Sequence, residues 1–295
     1  MAAPGSRVRL AGKATLVTGG SRGLGLAVAE RFRVEGAHVA ICGRSETALR
    51  EAGETLRAAR LDASQHVLAE VADVAECADA ERFVAAALER FGRIDVAVCN
   101  AGVQGPIGLL EETDWEAWAR AVRVNLFGTV LTCRFVVPIM RRQGAGKIVA
   151  LSGGGATAPR PRFSAYAASK AAVVRFVETL AAELDGSGIE VNAVAPGALN
   201  TRMLDDMLAA GPEAAGAEAY AGALKQHEDG GSPLDVAADL ITFLASDQSD
   251  GITGRLIAAR WDDWRRLADI RDRLAGSDVF TLRRIVPEDR GWLPG

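Results

Sequence analysis

The sequence predicts an α/β fold in which a doubly wound parallel sheet is covered by helices on both faces. Three observations carry the prediction. Short, continuous apolar runs rich in β-forming residues alternate with amphipathic helical stretches from residue 14 to about residue 195. A glycine-rich turn directly follows the first of these runs and leads into the first helix. The 295 residues, 49% of them hydrophobic, suffice for the core of one large domain.

The elements follow in order. ATLVT (14–18) reads as a short buried strand. LGLAVAERFRVEG (24–36) has helical spacing and stops at Gly36. HVAICG (38–43) is the second strand, and a helix over about 46–60, a strand over about 66–71, a helix over about 77–91 and the strand IDVAVCN (94–100) come next. Thr113, with Glu116 three residues later, has the form of a capping box and opens a long helix expected to end near Pro138. GKIVALS (146–152) is a strand, SAYAASK (164–170) starts a helix, and IEVNAVAP (189–196) is another strand. Residues 199–232, rich in Ala and Gly and carrying Met203 and Met207, read as an insertion of mobile helices over the carboxyl edge of the sheet. Ser232, Pro233 and Asp235 restart a helix, and the last strand spans about 254–259. The expected domain covers 11–258, between an N-terminal tail (1–10) and a C-terminal extension (259–295). Its parallel connections should be right-handed crossovers.

Composition narrows the function classes. A net charge of −4 without a basic stripe gives no nucleic-acid footprint. The longest apolar runs are broken well short of a membrane span, and the opening MAAPGSRVRLAGK has no apolar signal core, so a cytoplasmic protein is expected. Cys42, Cys77, Cys99 and Cys133 form no C-x-x-C pair and read as small buried hydrophobes in a reducing compartment. His38, His66 and His227 lack ligand spacing, so no metal is expected.

TGGSRGLG (18–25) places Gly19, Gly23 and Gly25 between the first strand and the first helix. Glycines there let the backbone approach a pyrophosphate, and the helix that follows aims its N–H groups at the anion. Ser21, Arg22 and Leu24 complete the loop. The second strand ends in Gly43 and Arg44, where an acidic residue would hold the ribose 2′-hydroxyl of NAD(H). A guanidinium grips a 2′-phosphate instead, so Arg44, with Arg22, predicts NADP(H) over NAD(H). Two solvated arginines are the plain alternative. Asp73, after the third strand, either accepts from the adenine amine while Val74 covers the ring, or caps a helix near residue 75.

TGGSRGLG, CNAG (99–102), Asn125, Ser152, YAASK (166–170) and PG (196–197) stand in the order and approximate spacing of the short, single-domain short-chain dehydrogenases/reductases, which the chain resembles over about residues 11–257. The resemblance implies a Rossmann-like sheet, a small carbonyl or secondary-alcohol substrate and a homo-oligomer. It implies Tyr166 as general acid/base, with Lys170 four residues on, on the same helix face, lowering the phenol pKa and binding the nicotinamide ribose. Ser152 would polarise the substrate oxygen, and Asn125 would hold a water linking Lys170 to solvent, its alternative being helix-interior packing. Asn100, Ala101 and Gly102 would wall the cofactor pocket, and Pro196, Gly197 and Thr201 would border the nicotinamide. The dimer or tetramer would pack through the long helix around Asn125 and the helix after Tyr166. A sugar-nucleotide epimerase or dehydratase with bound NAD, and a nucleotide-sensing protein without chemistry, are the alternatives. Neither fits as well: the first usually shows G-x-x-G-x-x-G, and the second often loses the tyrosine or lysine.

Two stretches depart from the family pattern. The chain continues past the last strand with Trp261 and Trp264 three apart, expected on one helical face that docks on its own domain or a neighbouring subunit, or closes as a lid. APRPRF (158–163) lies between Ser152 and Tyr166, so Arg160 and Arg162 either meet an anionic substrate or are solvated.

Overall fold

The computed structural model describes residues 8–292. Seven strands form one sheet: β1 (Ala14–Thr18), β2 (His38–Gly43), β3 (Val67–Val71), β4 (Val96–Cys99), β5 (Gly146–Leu151), β6 (Ile189–Ala195) and β7 (Leu256–Ala258). Their spatial order is β3-β2-β1-β4-β5-β6-β7, and every pairing is parallel. The order reverses beside β1, which pairs with β2 through Leu16↔Ala40 and with β4 through Leu16↔Ala97. Such a reversal opens a crevice at the carboxyl ends of β1 and β4.

Two cores explain the continuous apolar strands. Val17 and Ile41 belong to the core beneath α1 (Gly23–Val34), α2 (Glu46–Ala58) and α9 (Leu234–Ala245). Leu16, Ala40 and Cys42 belong to the core beneath α3 (Cys77–Phe91), α5 (Gly128–Gln143) and α6 (Ser164–Glu183). Alternate residues of one strand thus bury in opposite layers, and neither parity can be polar.

Several boundaries differ from expectation. The N-cap of α4 (Trp115–Val122) is Asp114, which accepts from the Ala117 N–H at 2.7 Å, while Thr113 donates to the Leu110 carbonyl. The helix does not end at Pro138. It continues through a wide turn, Arg123–Phe127, in which the Gly128 N–H reaches back to the Arg123 carbonyl, and α5 stops at Gly144, φ 70°. Trp115–Gln143 is long and apolar enough to cross a membrane by length and composition, but Cys133, Val136 and Met140 bury in the core. The N-terminal boundary also moves: Leu10 is fully buried and donates to the Glu35 carbonyl, so residues 8–10 belong to the domain, and residues 1–7 of the expected tail lie outside the described residues. Cys77 is exposed, and the other three cysteines are buried.

The insertion is helical, as expected: α7 (Arg202–Ala215), kinked at Gly211, and α8 (Ala217–Glu228). With Phe163 and Tyr166 they form a separate apolar cluster above the sheet edge. The C-terminal extension is no single helix. Trp264 is buried, its indole donating to the Ala259 carbonyl and its ring 5.7 Å from Phe243, whereas Trp261 is 75% exposed. The two tryptophans therefore do not share a docked face, because the turn that follows β7 separates them. Further on, the Leu256 N–H donates to the Phe280 carbonyl, and the Arg255 guanidinium donates to the carbonyls of Leu274, Ser277 and Val279. The extension thus runs along the outer side of β7 and reaches α6, where the Leu282 N–H donates to Glu178.

Candidate active site

At the end of β1 the backbone turns through Gly19 (φ 64°) and Gly23 (φ 54°), conformations that a β-carbon disfavours. A β-carbon on Gly25 would lie 2.3 Å from the Gly19 carbonyl oxygen and 2.4 Å from Asn100 Nδ2. Only a glycine lets α1 start this close to the end of β4. Asn100 holds the ends of β1 and β4 together. Its Nδ2 donates to the carbonyls of Thr18 and Gly19, while the N–H groups of Asn100 and Ala101 donate to Thr18 Oγ1 at 3.0 Å. The two strand ends are stitched together across the crevice.

This cradle fits a dinucleotide. Arg22 is the N-cap of α1 and caps it with no side-chain hydrogen bond, leaving the helix start to an anion. Ser21 and Gly43 are neighbours: a β-carbon on Gly43 would lie 3.1 Å from Ser21 Oγ. The ends of the loop and of β2 therefore meet, with Arg22 and Arg44 both exposed there and neither ion-paired among the described residues. Val74 is buried against Gly128. Asp73 is engaged by protein: Oδ1 accepts from the Ala75 N–H at 3.1 Å in a local turn and Oδ2 pairs with Arg120, while the N-cap of α3 is Glu76. Thr201 approaches Gly23, its Cγ2 3.6 Å from where a β-carbon would stand, and Gly197 takes φ 95° beside Ser232.

The structure brings Asn125 and Lys170 together beside Gly102, and Tyr166 lies one turn before Lys170 on α6. A β-carbon on Gly102 would lie 3.3 Å from Asn125 Oδ1, 3.5 Å from Lys170 Nζ and 3.6 Å from Met203 Cε. Asn125 sits in the wide turn and is fully buried; its amide leaves its own helix, which argues against simple helix-interior packing. Oδ1 accepts from the Val103 N–H at 2.8 Å, and Nδ2 donates to the Val103 carbonyl and to Ser169 Oγ, both at 3.0 Å. Ser169 donates in turn to the Tyr166 carbonyl. Lys170 Nζ donates to the Leu151 carbonyl at 2.7 Å and stands 5.8 Å from the Tyr166 ring centroid.

Ser152 follows directly on β5. Its hydroxyl is buried and donates to the Lys170 carbonyl at 3.3 Å. The next residue faces the phenol: a β-carbon on Gly153 would lie 2.4 Å from the Tyr166 hydroxyl. Of the two residues that follow β5, it is the glycine that stands against the phenol.

Burial dominates the electrostatics. It pushes the Tyr166 phenol above its ordinary value, and the opposing cation is Arg160 rather than Lys170. Burial likewise pushes Lys170 down to about 8. In this arrangement Lys170 Nζ is turned to the Leu151 backbone carbonyl.

A family model described as short chain dehydrogenase matches residues 13–210. The chain belongs to the short-chain dehydrogenase family. This dehydrogenase is 39% identical to a glucose 1-dehydrogenase of Gluconobacter oxydans over 84% of its own length and 91% of the relative's. It is 40% identical to a 3beta-hydroxysteroid dehydrogenase 1 of Eggerthella lenta, over 83% and 91%. The crystal structure of a levodione reductase superposes with a TM-score of 0.76 at 33% identity, covering 85% of this chain and 96% of that one. The dehydrogenase is thus an oxidoreductase acting on CH–OH and C=O groups, and its sheet is that of the family. Sequence reasoning did not find Thr18, Ser169 or Gly153 as parts of the site. Each acts through a backbone approach or a hydrogen bond that leaves no spacing signature. Among the described residues no group of three His, Cys, Asp or Glu side chains gathers to bind a metal.

Proposed function

We propose that the protein is an NADP(H)-dependent oxidoreductase that interconverts a small carbonyl compound and its secondary alcohol, with Tyr166 as the general acid/base. The observation that carries this reading is the buried Tyr166–Lys170–Asn125 cluster beside a glycine cradle whose rim bears Arg22 and Arg44, neither ion-paired among the described residues. The nicotinamide, when bound, supplies or receives the hydride. Gly19, Ser21, Arg22, Gly23, Leu24 and Gly25 would hold the pyrophosphate, Arg22 and Arg44 the 2′-phosphate, Asp73 and Val74 the adenine, and Asn100, Ala101, Gly102, Pro196, Gly197 and Thr201 the nicotinamide half.

Tyr166 donates its proton to the carbonyl oxygen in reduction and takes it back in oxidation. A phenol raised by burial holds that proton firmly, so a cation must offset the charge that develops on the oxygen. Lys170 supplies it by swinging Nζ from the Leu151 carbonyl toward the phenol and the ribose. Asn125 Oδ1 keeps one lone pair for a water between itself and Lys170. Ser152 acts as a positioning residue: by bonding the Lys170 carbonyl it ties the end of β5 to the helix carrying the acid. The active form is a homodimer or homotetramer packed through Trp115–Gln143 and Ser164–Glu183, with Trp115 and Phe127 among the exposed apolar residues available for contact.

The test is a carbonyl and alcohol panel followed by nicotinamide absorbance. Wild type should prefer NADPH, Arg44→Asp should shift kcat/KM toward NADH, and Tyr166→Phe should lose turnover while still binding NADPH. Equal use of both coenzymes by both proteins would refute the assignment of Arg44; undiminished turnover in Tyr166→Phe would remove the acid.

A further inference from the structure

The segment between Gly155 and Phe163 passes over the phenol and carries two arginines with different surroundings. Arg162 is committed to structure: its Nη1 donates to the carbonyls of Glu213 (2.7 Å) and Ala214 (3.3 Å), closing the end of α7. Arg160 has no such engagement. Its guanidinium carbon stands 4.0 Å from the Phe163 ring centroid and 5.4 Å from that of Tyr166. Its hydrogen bond among the described residues is to Met207 Sδ at 3.7 Å, a weak acceptor. No carboxylate among the described residues pairs with it. Phe163, Tyr166 and Met207, which it contacts, belong to the apolar cluster formed with α7 and α8.

A half-buried cation without a counter-ion costs free energy, and the cost is offset when an anion joins it. The phenol beside it faces Gly153, so the protein offers no side chain there to orient a substrate oxygen. Taking the carbonyl/alcohol reading as given, we infer that Arg160 binds a carboxylate carried by the substrate itself, which makes the substrate a 2- or 3-oxo acid or the matching hydroxy acid. The spacing sets the distance between the two groups. A guanidinium this near the phenol ring reaches a carboxylate within about three bonds of a carbonyl hydrogen-bonded to the Tyr166 hydroxyl. The planar guanidinium donates two parallel hydrogen bonds to the carboxylate, fixing the rotation of the carbonyl that follows. The rest of the molecule lies against Met203, Met207 and Leu208, so the chain beyond the acid is apolar.

The experiment compares 3-oxohexanoate with its uncharged amide, 3-oxohexanamide. Wild type should favour the acid by about tenfold or more in kcat/KM, through KM, and Arg160→Gln should cut that ratio roughly 10- to 100-fold. Arg160→Lys, which keeps the charge without the fork, should retain part of it. An unchanged ratio in Arg160→Gln overturns the inference. So does an equal loss of kcat on both compounds with a displaced pH profile, since Arg160 would then act on Tyr166 alone. Calorimetric titration of the NADP-saturated Tyr166→Phe protein with the same pair separates this inference from the function it rests on. If the acid binds in an Arg160-dependent way but neither compound is ever turned over, the proposed reaction fails and the anion site stands. If binding is the same with and without Arg160, the anion site fails whatever the kinetics show.

Discussion

At the residue scale, the Tyr166 phenol stands between the Lys170 ammonium and Gly153, a residue that brings no side chain to it. Tyr166 and Lys170 share a helix face because they are four apart, and that much is geometry a reader of the sequence can compute. Which side chain faces the phenol depends on where extended chain after β5 points, and spacing alone does not settle it. The expected outcome is that Ser152→Ala lowers kcat less than tenfold, whereas Tyr166→Phe abolishes it; a collapse of kcat in Ser152→Ala comparable to that of Tyr166→Phe would return the hydroxyl to the substrate. The buried lysine gives a second, independent prediction. Its native value, about 8, lies below the ordinary 10.5, so between those values the unfolded chain holds a proton that the native protein has lost. The contribution of Lys170 to the stability of the unliganded protein then rises with pH across that window. From pH 7.5 to 9.5 Lys170 should contribute a gain of roughly 2 kcal/mol. Urea melts of Lys170→Met should show that gain missing.

At the element scale, continuous apolar runs between helices specified the parallel sheet, because a strand covered on both faces has no polar parity to display. The capping residue was off by one, since Thr113 and Asp114 both suit an N-cap and only the side-chain geometry chooses Asp114. Pro138 misled for a related reason: the missing N–H is tolerated where the surrounding core holds the helix on course. The wide turn at Arg123–Phe127 has no sequence signal at all, yet it carries Asn125. The C-terminal extension was beyond pattern reasoning because backbone carbonyls hold it. Arg255 binds three of them from the edge of the sheet. Arg255→Ala should cost about 2–3 kcal/mol, the scale of buried hydrogen bonds to a charged group. It should also speed proteolytic cleavage between about residues 275 and 285. A Tm unchanged from wild type would show that the extension is held by other contacts.

At the scale of the whole molecule, the site is a junction. The sheet contributes Lys170's acceptor through β5, the long helix contributes Asn125, and α6 contributes Tyr166. The helices of the insertion close over it, with Met203 beside Gly102 and Met207 against Arg160. Their composition told little about ligand chemistry, because apolar lid residues enclose many molecules equally well. The half-buried charge of Arg160 is more informative, and it comes from the preceding loop rather than from the lid.

The outer margin of β7 bears on how copies of the chain meet. An unpaired strand is an open template for a second strand. Here the Leu256 amide is already taken by Phe280 of the same chain. Removing residues 275–295 should expose that margin and drive the shortened protein into larger species, visible by light scattering. The full chain instead carries a built-in selvedge, a finished hem that keeps the sheet from being sewn to its twin.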